Sequence, residues 1–499
     1  MGLGLVIKLL GAAQPAVLAA LFGAGPELDA YFVAVALPNL LITFLVLGPA
    51  GLALTSSVVR WGGAAPEVSA LVRAGATLGL VSSLTLAAAG YLAAPWVIAT
   101  LAPGFDPETA ALSVELFRVS LPVVVLATLG SLARSVLHAY QRFLVPVAAY
   151  GIGSVVSLTV LATFSRPFGI YAAPVAMVAG AVPALVMQWW AVRARGIPFG
   201  FTLPLARSKP EDRAASTALA SILPPVFLLG LSLAAIQGIA LWGRFYASQL
   251  GPGNLALLEY GLSFDKVVAG LVAGSAATAA YPTILAQARE GLGAAAAGVR
   301  RSLRVAALTA LPMVALLAAL REPVLLLWLG RGRFTGEDVS AVAQVVLFLA
   351  PAFAAWSLAY PLLYAAHALH RLRLPFATTL AGLASAGLLG FLGAHWGGLP
   401  GVAAALSLAA CGTVLALFWL LARDLPALWG RHDLAFLAKL ATATAITCGA
   451  VLLVPPTLAP ALRLVLGAGL GVGLYLASLK CFRVEEVDEA LRFLMQRAK

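Results

Sequence analysis

Apolar stretches long enough to cross a bilayer follow one another almost without a break along this chain, and no other feature limits its fold as tightly. A helix needs about 20 mostly apolar residues to cross roughly 30 Å of hydrocarbon. Such stretches lie near 4–23, 29–58, 70–101, 110–138, 144–164, 168–192, 216–249, 254–286, 297–320, 338–366, 375–395, 398–422, 436–455 and 459–480. They predict fourteen membrane helices joined by short polar or Gly/Pro-containing turns. Composition agrees, with 62% of the 499 residues apolar and 10% charged, against roughly 45–50% and about 25% in soluble domains. Three cysteines and 48 scattered glycines fit neither a disulfide framework nor a collagen. The expectation is an all-α, multi-pass integral membrane protein.

The net charge of +12 would suggest a nucleic-acid partner in a soluble chain. Here its distribution tests the topology. Loops between even- and odd-numbered spans, together with both ends, hold 24 of the 32 basic residues, Arg134 and Arg304 among them. The opposite loops hold Arg166, Arg321, Arg331, Arg333 and Arg463, and Arg118, Arg244 and Lys266 fall inside spans. Positive charge accumulates on the cytoplasmic side, so both termini are expected in the cytoplasm, and no nucleic-acid partner is implied. The first 25 residues imitate a secretory signal and are read as a retained first helix containing Pro15.

A repeat organises the chain. At an offset of 229 residues, His138-Ala139 with Arg142 and Pro146 matches His367-Ala368 with Arg371 and Pro375. Phe105, Glu108 and Pro122 match Phe334, Glu337 and Pro351 upstream, and Gly153 and Gly169 match Gly382 and Gly398 downstream, without a gap. Six spans per copy give two parallel six-helix lobes, an arrangement associated with alternating-access transporters. The expected domains are a lobe at 1–195, a cytoplasmic linker at 196–215, a second lobe at 216–423, and two extra helices with a tail at 424–499. The His138 and His367 motifs suggest a metal or proton relay, but both sit at helix ends, where His and Arg suit the helix dipole. Asp106-Pro107-Glu108 and Thr335-Gly336-Glu337-Asp338 read as N-terminal caps. Cysteines 411, 448 and 481 have no pairing or metal spacing.

Ionisable groups within membrane spans are the candidate site, because each costs several kcal/mol unless it faces a polar cavity or a partner. Glu259, Asp265 and Lys266 lie on the eighth span, Lys266 roughly 18 Å from its start at 1.5 Å per residue. They are candidates for a gate or a ligand contact. Glu115 and Arg118, three apart on the fourth span, are expected to pair. Arg244 lies near one end of the seventh span, Asp29 starts the second as a cap or cavity group, and Gln14 adjoins Pro15. No nucleophile–base pair, nucleotide loop or metal spacing points to an enzyme or a cofactor.

Phe22-Gly23-Ala24-Gly25-Pro26-Glu27-Leu28-Asp29-Ala30-Tyr31-Phe32, continuing to Leu37-Pro38-Asn39-Leu40-Leu41, closely resembles the lipid II flippase family. Ala93-Ala94-Pro95-Trp96-Val97-Ile98, Ala102-Pro103-Gly104-Phe105 and Gly332-Arg333-Phe334-Thr335 resemble it too. The resemblance implies two lobes that carry a polyprenyl-diphosphate-linked sugar from the inner to the outer leaflet of a bacterial inner membrane. It implies a cationic cavity for the diphosphate and a groove beside the last two helices for the tail. The family's first helix usually carries arginines; here Lys8 keeps one charge and Gln14 stands where another is expected. Ile42-Thr43 and Gly261-Leu262-Ser263 likewise replace basic stretches. The partners expected are therefore a lipid-linked sugar, membrane lipids and a coupling cation, with Lys266 as the deepest contact to an anionic ligand. The rival expectation is a cation-coupled exporter of small amphipathic molecules using Asp265, Glu259 and Asp29. A third is a non-transporting membrane partner of an envelope-synthesis complex.

Overall fold

The computed structural model describes residues 2–47, 66–196, 210–264, 284, 287, 290–369, 371, 373–425, 428–484 and 486. These are mostly helical, joined by short turns, with no strand among them. In chain order the helices are α1 (Gly2–Phe22), α2 (Pro26–Ile42), α3 (Pro66–Leu101), α4 (Pro107–Ser120), α5 (Pro122–Ala139), α6 (Leu144–Phe168), α7 (Ala172–Arg193) and α8 (Pro210–Ala247). They continue with α9 (254–264), α10 (Leu292–Ala319), α11 (Arg321–Trp328), α12 (Gly336–Ala368), α13 (Arg373–Asp424), α14 (Arg431–Leu452) and α15 (Pro460–Cys481).

Nine helical stretches among the described residues are long and apolar enough to cross a membrane. Two of them, Leu144–Arg193 and Arg373–Asp424, run to 50 and 52 residues. At about 1.5 Å per residue each is more than twice the hydrocarbon thickness, so each makes two crossings. The three remaining predicted spans coincide with α1, α8 and the described part of the eighth span in α9. The short α11 occupies what the sequence marks as a loop; Arg321 and Arg331 turn their guanidiniums onto the Ala318 and Leu327 carbonyls at 2.7 and 2.9 Å.

The duplication appears in the backbone residue by residue. Asp106 caps α4 by accepting from the Thr109 N–H at 3.1 Å, and its counterpart Thr335 caps α12 in a reciprocal box with Asp338. Donation from Thr109 to the Asp106 carboxylate holds that group below the ordinary aspartate range. Tyr140 and Leu369 close α5 and α12 with φ of −88° in both. The N–H groups of Arg142 and Arg371 then reach back to the Leu137 and Ala366 carbonyls at 2.8 and 2.7 Å. Gly169 and Gly398 separate the last two crossings of each copy with matching dihedrals, φ 54°, ψ −138° and φ 54°, ψ −140°. Only a residue without a Cβ takes that conformation freely. One junction interrupts the helix as a short 3₁₀ turn; the other kinks α13.

The matched Pro122 and Pro351 are handled differently. At Pro122 the helix breaks between α4 and α5, whereas α12 runs on through Pro351. Proline removes a ladder donor, and close to Pro351 the Ser407 hydroxyl donates to the Phe348 carbonyl at 2.6 Å.

The chain forms two compact units, Met1–Ala256 with Gly332–Phe334, and Leu257–Arg331 with Thr335–Lys499. In the first, α6 and α7 cross where Gly153 and Gly180 face each other: a Cβ on either would lie 2.6 or 2.5 Å from the other's carbonyl oxygen. Such close approach is how helices associate where hydrocarbon supplies no hydrophobic drive. α8 belongs to this unit because it packs on α3. The duplication says which segments are copies; compactness says which pack together, and at α8 the two divide the chain differently. In the second unit α15 lays Gly467 and Gly471 against Leu320 and Leu316, and the Tyr475 hydroxyl donates to the Leu308 carbonyl at 2.7 Å.

Candidate functional site

Asp29 lies in the first turn of α2, where a carboxylate would serve that helix's own N-terminus. Its side chain goes elsewhere. It accepts from the Gly253 N–H at 2.5 Å and the Ala256 N–H at 2.7 Å, at the start of α9, and is 1% exposed. The first N–H groups of a helix lack intrahelical acceptors and carry the positive end of its dipole, so Asp29 caps α9. A cap was expected, but on α2.

Three stretches that carry the family resemblance meet around this clasp. The Arg333 N–H donates to the Ala20 carbonyl at 3.0 Å. Gly332, at φ +63°, lies so close that a Cβ would come within 2.2 Å of the same oxygen, and Gly104 approaches the Ser248 carbonyl almost as closely. Gly253 in turn faces the Ala24 carbonyl. Backbone is thus fitted to backbone at the junction of α1 and α2 within the first unit.

The expected pair of Glu115 and Arg118 does not form. Glu115 accepts from the Tyr171 hydroxyl at the start of α7. Arg118 turns to α3, where its guanidinium lies 4.8 Å from the Tyr91 ring centroid and its Nε donates to the Tyr91 carbonyl at 3.3 Å. Each side chain found a partner on another helix, which spacing along α4 alone does not reveal.

Gln14 is half-buried on α1, one residue before Pro15. Lys8 lies on the same helix, and its side chain is outside the described residues. At the Ile42-Thr43 replacement α2 passes into a π turn, Thr43–Leu47, with the Thr43 hydroxyl donating to the Asn39 carbonyl at 2.9 Å. Glu259 is half-buried on α9, and Arg244 is half-buried in the last turn of α8. Asp265 and Lys266 lie outside the described residues. No three His, Cys, Asp or Glu side chains converge as metal ligands among the described residues.

Three features escaped the sequence reading because their arginines were counted as loop charges. Arg304 stands within α10 and binds Asp433 of α14 through Nε and Nη2 at 2.8 and 2.7 Å. Its Nη1 reaches Glu486 at 2.9 Å, and its guanidinium lies 5.0 Å from the Phe436 ring centroid. A second ion pair, Arg463 with Glu322 at 3.5 Å, ties the first turn of α15 to α11. The two extra helices are therefore pinned to the second unit near both ends. Arg134 lies within α5, over the Tyr150 ring of α6 at 5.1 Å. One turn on, His138 packs at 5.2 Å against Phe143 in the last turn of α5.

Comparison with known proteins decides the family. Residues 18–465 match the profile described as lipid II flippase MurJ. The chain belongs to the lipid II flippase MurJ family. It is 26% identical over 490 residues to a probable lipid II flippase MurJ of Thermotoga maritima, covering 97% of this chain and 96% of that one. It is also 24% identical to a probable lipid II flippase MurJ of Buchnera aphidicola, where the match spans 68% of this chain and 66% of the relative. Among solved structures, one titled lipid II flippase MurJ, inward closed conformation, superposes with a TM-score of 0.78 at 18% identity, covering 96% and 97% of the two chains. An inward-facing multidrug resistance MATE family transporter superposes at 0.70 with 16% identity, covering 85% of this chain and 95% of the other. At such identities the likeness shows the fold alone. With the profile match, it makes this a membrane transporter rather than an enzyme.

Proposed function

We propose that the protein moves a polyprenyl-diphosphate-linked sugar, lipid II or a related envelope precursor, from the inner to the outer leaflet by alternating access. The observation that carries this reading is the profile match, which runs through both copies of the repeat. The domain division stays as the duplication suggests, with lobes at 1–195 and 216–423, a linker at 196–215 and extra helices at 424–499. We place the chain in a bacterial cytoplasmic membrane with both termini inside, following its 24-to-5 bias of basic loop residues. A diphosphate crosses hydrocarbon only with compensating cations. Lys266, Lys8, Arg118 and Arg244 are the cations we assign to its path, with Gln14, Glu259 and Asp265 lining or gating it and Asp29 holding the start of α9. The driving force we assign is a coupling cation.

The test is translocation of lipid II in proteoliposomes, read by the fraction reachable from each side, for the native protein and Lys266→Ala. Net transfer that Lys266→Ala abolishes, with the variant still folded and inserted, is the expected result. Cation-driven efflux of small amphipathic dyes without lipid transfer would replace this reading with the exporter.

A further inference from the structure

The structure assigns an anion-binding station to Arg134, with Tyr150 as its floor, and we propose that it receives the diphosphate of the transported lipid. This rests on the flippase reading above. Arg134 sits five residues before the end of α5, and Tyr150 six residues after the start of α6. At 1.5 Å per residue both therefore lie about 8–9 Å inside the shared end of the two helices. That is the level where a headgroup meets hydrocarbon.

The opposite face of α5 is spoken for. Leu132, Ala133, Val136 and Leu137 are buried in a core with Val68, Leu71 and Val72 of α3 and Val192 of α7. The face turned away from that core carries Ser131, Arg134, Ser135 and His138. Ser131 and Ser135 spend their protons on carbonyls of their own helix, at 2.8 and 2.9 Å. Arg134 has its Nε buried with no acceptor, and no carboxylate pairs with it among the described residues. Its guanidinium lies over the Tyr150 ring, which is 48% exposed, and His138 one turn on is near enough to feel its charge.

A guanidinium over an aromatic face keeps its N–H groups in the plane at its edge, free for two oxygens of one anion. With no counter-charge among the described residues, the guanidinium gains a charge-assisted partner when an arriving diphosphate reaches it. Phosphate is the matching chemistry, since the planar fork suits it and no carboxylate pairs with it among the described residues. A long apolar tail on the ligand would hold the phosphate at this level of the membrane. We commit to the transported polyprenyl diphosphate as the occupant rather than to a resident phospholipid.

The experiment uses the full-length protein in phosphatidylcholine nanodiscs, titrated with a long-chain polyprenyl diphosphate and, as a control, the neutral polyprenol. Arg134→Gln should weaken diphosphate binding at least about tenfold, the scale of losing a charge-assisted pair of hydrogen bonds, and leave polyprenol binding unchanged. Arg134→Lys, keeping the charge without the fork, and Tyr150→Leu should each fall between Arg134→Gln and the native protein. Should Arg134→Gln not fold, these two carry the test. Native-like diphosphate binding by the folded variants overturns the station and leaves the flippase reading standing. Displacement of the probe by equimolar phosphatidylglycerol overturns the choice of occupant. A native protein that binds no diphosphate overturns the flippase reading and the station together.

Discussion

Replacing Arg304 by Met should loosen the two extra helices and little else. Met keeps much of the stem and removes the charge that holds Asp433 and Glu486. Asp433 is 4% exposed, Glu486 14% and Arg304 21%. Without the guanidinium, the Asp433 carboxylate keeps, among the described residues, the Gly430 N–H, which donates to it at 2.8 Å. Orphaning one member of a buried pair costs roughly 3–5 kcal/mol. The partial exposure of Arg304 and Glu486 lowers this to about 2–3 kcal/mol. A local opening equilibrium shifted that far exchanges amide hydrogen about 30- to 150-fold faster. Hydrogen-exchange mass spectrometry on the full-length protein should show this over 431–452 and 460–481, with 107–139 unchanged as the internal control. Adding Asp433→Asn to Arg304→Met should restore part of the protection, because it removes the stranded charge while keeping an oxygen for Gly430. Unchanged exchange over 431–452, or no recovery in the double variant, would refute the reasoning.

Asp29→Ala should lower stability by about 1–3 kcal/mol, the cost of leaving buried N–H groups without an acceptor. Asp29→Asn should cost less, since one oxygen still faces Gly253 and Ala256; thermal denaturation in detergent ranks the two, and the reverse order would count against the clasp. Gly169→Ala and Gly398→Ala should destabilise by similar amounts, about 1–3 kcal/mol each for a side chain forced into that backbone region. Nothing lies within 4 Å of a Cβ at either position, so a substitution tolerated at one and not at the other would break the equivalence of the two junctions.

Much of the fold was legible in the sequence because a bilayer is a simple solvent. It demands apolar length and internal backbone hydrogen bonds, and both leave periodic traces in the chain. The caps at Asp106 and Thr335 and the junctions at Gly169 and Gly398 follow from local chemistry repeated at one offset. The site was less legible, since its contacts join distant segments. Asp29 binds residues 224 and 227 positions away, and Tyr171 reaches Glu115 across 56. A spacing argument sees only neighbours on one helix, so it paired Glu115 with Arg118. Counting Arg134 and Arg304 as loop charges was misleading for their chemistry, because both lie within helices. The stretches that carry the family resemblance include Gly23, Gly104 and Gly332, whose close backbone approaches only the tertiary structure shows.

The chain by itself determined its solvent, its helices, their order and their duplication. These depend on apolar length, on capping residues and on proline and glycine, all of which act within a few residues. Only the tertiary structure decided which charge meets which. Inside a membrane an ionisable side chain takes whatever partner packing brings to it, and packing is a property of several helices at once. That is why Asp29 serves α9, why Arg118 faces Tyr91, why Arg304 holds the last two helices, and why Arg134 lies over an aromatic ring.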